Sequence, residues 1–162
     1  MKTCNRTTRR NAAGFTLIEV MIAVAVVGIV ASIAVPSYRQ FVLRSNRAEG
    51  KTLLLEAATR QERFFADNGT YTITDVRPVG CAPPACGLNL ATATSENGKY
   101  TLVVAAPTLA CPISTCFSMS ITPVAGMGQT EDTACLSYTV DSLGQKTATK
   151  SGGADNTAIC WD

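Results

Sequence analysis

The sequence predicts an α+β protein in which one long N-terminal helix packs on a four-stranded antiparallel sheet. Three observations carry this. An apolar run at residues 15–35 passes across Pro36 into an amphipathic pattern that lasts to residue 66. Asn68-Gly69 then stops the pattern. Beyond Thr70 the content of Thr, Val, Ile and Tyr rises between Gly, Pro and Asn punctuation, as strands and turns require.

The chain starts with MKTCNRTTRRNAAG, which holds Lys2, Arg6, Arg9 and Arg10 and no acid. Such a positive flank keeps an N-terminus cytoplasmic and sends the rest of the chain across the membrane. The 21 residues of 15–35 would make a helix of about 31 Å at ~1.5 Å per residue, enough for a bilayer core of ~30 Å. An ordinary secretory signal is cut after its apolar run. Here Val35-Pro36-Ser37-Tyr38 is a poor site, and the conspicuous small-residue junction, Ala13-Gly14-Phe15, precedes the run. A cut after Gly14 leaves the apolar segment on the mature chain. The order expected is therefore a leader at 1–14, a membrane and assembly helix at 15–35, the amphipathic half of that helix at 36–66, and a disulfide-stapled head at 67–162.

Over 36–66, Leu54, Ala58 and Phe65 fall on one face, and Phe41, Ala48 and Leu55 on another. Residues 100–105, 117–122 and 136–141 alternate like strands, and Ser142-Leu143-Gly144-Gln145 is a hairpin turn into a fourth strand at 146–149. Residues 70–98 read as a connection pinned by Cys81-Ala82-Pro83-Pro84-Ala85-Cys86.

Charge is uneven. Removing the leader turns the formal +2 into 10 basic against 12 acidic residues; within 67–162 there are four basic residues (Arg77, Lys99, Lys146, Lys150) and eight acids. An acidic head is a poor match for a nucleic acid, although Lys99, Lys146 and Lys150 could still cluster. The basic residues of 36–66 read as a solvated or inter-subunit face.

Histidine is absent, which removes the commonest general base and zinc ligand. No phosphate loop or dinucleotide fingerprint occurs. The chain is expected to be no enzyme and to hold no cofactor and no metal. Apart from Cys4 there are six cysteines, an even number in a small exported region, which suggests disulfides and an oxidising compartment. The spacing leaves the connectivity open; the pairing favoured is Cys81–Cys86, Cys111–Cys116 and Cys135–Cys160, the last tying Trp161 back to the sheet.

Glu19 is the one carboxylate in the apolar run. An intramembrane acid marks a partner, and the nearest cation is the α-amino group that a cut before Phe15 creates, on the same chain or on a neighbour. If helices pack side by side, one subunit's Glu19 neutralises another's N-terminus and so sets their register. Ala23, Gly28, Ala31 and Ala34 would let such helices approach closely.

Gly14-Phe15-Thr16-Leu17-Ile18-Glu19, the apolar stretch, Pro36-Ser37-Tyr38 and the amphipathic helix together resemble the class III leader and N-terminal helix of type IV pilins. The resemblance implies the pilin fold, leader cleavage after Gly14 by prepilin peptidase, N-methylation of Phe15, and Glu19 as the subunit-docking acid. Residues 60–71 (RQERFFADNGTY), the stretch 129–135 (QTEDTAC), Gly144-Gln145-Lys146 and the final Cys160-Trp161 resemble PilE-type minor pilins, in which the region between the last two cysteines is the disulfide-bounded loop. Implied partners are other pilins, the peptidase, the inner membrane and its pilus assembly machinery. The implied location is the bacterial inner membrane, as a single-pass protein with its head in the periplasm, then the pilus at the cell surface, with its links to adhesion and twitching motility. The expectation is a minor pilin that enters or primes the fibre. The alternatives are a pilin-like DNA-uptake receptor, DNA being possible but not favoured, and a type II secretion pseudopilin.

Overall fold

The computed structural model describes residues 14–75, 86–105 and 108–162. Leader residues 1–13, Arg77 and Cys81, with the loop expected between Cys81 and Cys86, lie outside them. Helix α1 runs Leu17–Asn68 and continues through Pro36. Strands β1 (Tyr100–Val104), β2 (Ser118–Pro123), β3 (Ser137–Asp141) and β4 (Lys146–Thr149) form one antiparallel sheet in the order β1-β2-β3-β4. Their bounds lie within a residue of the sequence expectation. A 3-10 turn at Gln129–Glu131 and a short helix α2, Thr157–Trp161, were not foreseen.

The chain divides into two compact units, Met1–Gln40 and Phe41–Asp162. In the first, the described residues are the start of α1. Thr16 Oγ1 accepts a hydrogen bond from the Glu19 N–H at 3.3 Å, an N-cap that satisfies one orphan donor of the first turn. The apolar side chains stay uncovered: Phe15 is 83% exposed, Leu17 77% and Ile33 70%. This stretch is long and apolar enough to cross a membrane.

In the second unit, the later turns of α1 lie on one face of the sheet. Alternation along the strands puts Tyr100, Leu102, Met119, Ile121, Tyr138, Val140 and Ala148 inside, all buried, and Ser and Thr outside. Leu53, Leu54 and Ala57 of α1 complete this core; each buried leucine is worth roughly 1.5–3 kcal/mol. Gly50 lets the sheet reach the helix backbone, since a Cβ there would stand 2.8 Å from both Ile121 and the Tyr100 ring. Of the two apolar faces expected on this half of α1, only the one with Leu54 packs inward. Phe41 is 69% exposed and Leu55 38%. Helix α1 ends as Asn68-Gly69 foretold: Gly69 adopts φ +69 and its N–H donates to the Phe65 carbonyl. Gln61, wholly buried, then pins the outgoing chain, donating to the Thr72 carbonyl at 2.6 Å and accepting from the Thr72 N–H at 3.1 Å.

Both sheet edges are covered. Along β1, Leu102 N–H donates to the Ala93 carbonyl and Ser95 N–H to the Tyr100 carbonyl. Along β4, the Ala148 carbonyl accepts from Asn156 N–H, and the Ala148 N–H donates to Thr157 Oγ1. The Cys135–Cys160 disulfide holds this closing segment in place.

Candidate functional site

Three constellations stand out, and the first belongs to the Met1–Gln40 unit. Gly14 and Phe15 lie just before α1 and Glu19 in its first turn, all exposed. Among the described residues Glu19 makes no ion pair. The N-cap bond uses the backbone N–H of Glu19, so the side chain is not needed for it. The result is an anionic group among bare aliphatic side chains, at the end of a helix where the macrodipole favours negative charge.

The second is a buried polar clamp between α1 and the segment 129–135. Arg47 donates from Nε to Asp132 Oδ2 at 2.7 Å and from Nη2 to Oδ1 at 2.8 Å, with side chains 12% and 3% exposed. This two-pronged bond to Asp132 raises the Arg47 pKa against the opposing effect of burial. Gln129 Nε2 donates to Tyr100 Oη at 2.8 Å, and its Oε1 accepts from Asn46 Nδ2 at 2.9 Å. Burial raises the pKa of Tyr100, and it pushes Tyr138 up to about 12. The Tyr138 hydroxyl is buried without a hydrogen-bond partner among the described residues. Sequence reading singled out QTEDTAC without a role for it. Gln129 and Asp132, three apart on a tight turn, point at the same helix, a signal that becomes visible only once Arg47 is placed opposite.

The third is a corner built from α1, β4 and α2. Trp161 Nε1 donates to the Thr147 carbonyl at 3.0 Å, and its ring meets the Tyr138 ring edge-on at 5.6 Å between centroids. Lys51 Nζ and Lys146 Nζ lie 5.9 and 5.2 Å from the indole centroid, within cation–π range. The sheet keeps this corner apart from Lys99, which precedes β1 at the opposite edge, so the lysine cluster considered from sequence does not form as imagined.

The described cysteines all fall in the second unit. Cys111 pairs with Cys116 and Cys135 with Cys160. Cys86 is disulfide-bonded to a partner outside the described residues. All the described cysteines belong to the Phe41–Asp162 unit, whereas Glu19 belongs to Met1–Gln40.

A family model described as "type IV minor pilin ComP, DNA uptake sequence receptor" matches residues 36–139, and one described as "prokaryotic N-terminal methylation motif" matches residues 9–35. The chain belongs to the type IV pilin family. This pilin is 40% identical over 98 residues to a probable minor fimbrial protein of Dichelobacter nodosus, covering 59% of the chain and 57% of that protein. It is 44% identical over 70 residues to the type IV major pilin protein PilA of Myxococcus xanthus, covering 43% and 31%. With the fimbrial protein EcpC of Eikenella corrodens it shares 35% over 87 residues, covering 54% and 49%. The pilin thus spans between 31% and 57% of the length of these relatives.

Proposed function

We propose that this pilin is a minor pilin, cut after Gly14 by prepilin peptidase, N-methylated at Phe15 and held in the inner membrane by residues 15–35 with its head in the periplasm. It then enters or primes a pilus fibre with other pilins. The observation that carries this is the exposed apolar helix with one carboxylate near its start. Aliphatic surface of that extent is covered only by lipid or by like helices. Glu19 finds its counter-ion in the α-amino group of a neighbour's Phe15, and this pairing fixes the axial step between subunits. The test is Glu19→Ala in cells. The leader is removed as in the wild type, while incorporation into sheared fibres falls nearly to nothing; normal incorporation would end the docking role.

A second reading is favoured by one observation, the match of residues 36–139 to a family described as a DNA uptake sequence receptor. On it, the fibre-borne head retains DNA. The net acidity of 67–162 opposes this, but Asp132 is neutralised internally by Arg47, which leaves less negative field outside. Salt-dependent retention of duplex DNA by the full chain in detergent checks it. Absence of retention at low salt rejects it.

A further inference from the structure

Resting on the receptor reading, we infer that Lys51, Trp161 and Lys146 form a contact site for the phosphate backbone of duplex DNA. The site joins residues remote in sequence, since Lys51 Nζ donates to the Cys160 carbonyl at 3.1 Å, across 109 positions. The Cys135–Cys160 disulfide, the Trp161–Thr147 hydrogen bond and the Tyr138 edge contact hold the indole in place. Two ammoniums lie on that one ring, each nearer to it than the ~8 Å Debye length of physiological salt, so their fields overlap.

Two other cations of α1 are already spent on carboxylates, Arg47 on Asp132 and Arg60 on Glu56. Lys51 and Lys146 enter no ion pair among the described residues. An ammonium has three donors. Lys51 gives one to Cys160, which leaves hydrogens for phosphate oxygens on both lysines. Both ammoniums sit within cation–π range of the indole and Lys51 is also held by its bond to Cys160, so less side-chain freedom is lost when an anion binds. Arg44, exposed two turns before Lys51 on α1, extends the positive stripe along the helix. A basic strip with an aromatic at its centre suits a polyanion that runs past it rather than a single small anion.

The test uses the full chain in detergent micelles and a fluorescein-labelled duplex, read by anisotropy over a salt series. Lys51→Gln with Lys146→Gln should weaken binding about tenfold and lower the log–log salt slope by about two, since each phosphate contact contributes ~0.9. Lys51→Arg with Lys146→Arg should restore both. Lys99→Gln with Lys150→Gln, the same charge change elsewhere, should do neither. Trp161 is the only tryptophan, so its emission reports from the site itself, and duplex should shield it from iodide quenching. Wild-type binding with an unchanged slope in the Lys51/Lys146 glutamine variant would overturn the site and leave the receptor reading standing. Equal loss in the Lys99/Lys150 variant, or no shielding of Trp161, would overturn it too. A wild-type chain that binds no duplex at the lowest salt removes the receptor reading and the site together.

Discussion

The two halves of α1 share a secondary structure and differ in what covers them. The later half carries Gly50, Leu53, Leu54, Ala57 and Gln61, all buried within their own unit. The earlier half leaves Leu17, Val24, Ile29 and Ile33 more than half exposed. Helical periodicity exists only where one side must meet a sheet; the uncovered stretch is apolar on every side. The head therefore has a core of its own, whereas the apolar side chains of the first helical turns are uncovered among the described residues.

The sharpest way to break this comparison is Asp132→Ala. It strands the largely buried Arg47 guanidinium and should cost about 3–5 kcal/mol, seen in thermal or denaturant unfolding of the head. Membrane insertion of residues 15–35 should be unaffected, and Glu19→Ala should leave head unfolding untouched; a shared effect would erase the distinction. Next is Cys135→Ser with Cys160→Ser. Loss of that disulfide should cost ~2–5 kcal/mol and speed amide exchange along β4. Gly50→Ala should rank third at about 1–3 kcal/mol, because the new methyl meets Tyr100 and Ile121 at 2.8 Å.

Much of the comparison was legible in the residues. The apolar run, Asn68-Gly69 and the alternation of 100–105 gave α1 and β1 nearly to their ends because each signal is local. Gly50 was not legible as a packing residue, since glycine in a helix reads as weakness until a tyrosine ring is found against it. Nor was the role of Gln129 and Asp132, whose meaning lies in Asn46, Arg47 and Tyr100 on other elements. Trp161 was expected to be tied back to the sheet, but its two lysines come from α1 and β4, and only tertiary structure brings those together. Glu19 was conspicuous for the opposite reason: its strangeness is visible one residue at a time.

The smallest effect expected is that of Tyr138→Phe. Removing a buried hydroxyl that lacks a partner among the described residues should change stability by no more than ~1 kcal/mol near neutrality, in either direction. It should show at alkaline pH. Burial raises the tyrosine above its unfolded value near ~10, so its contribution is intact below that pH and is lost as pH rises towards about 12. The phenylalanine variant should lose less stability over that window, as measured by denaturant midpoints.

The closed margins of the sheet have one last consequence. Ala93 and Ser95 occupy the β1 side, and Asn156 and Thr157 the β4 side, so no neighbour can zip onto this molecule strand by strand. Edge-to-edge growth of the sheet into a ribbon is thereby disfavoured. If the chain assembles as proposed, the surface left for joining copies is the bare aliphatic flank of residues 15–35.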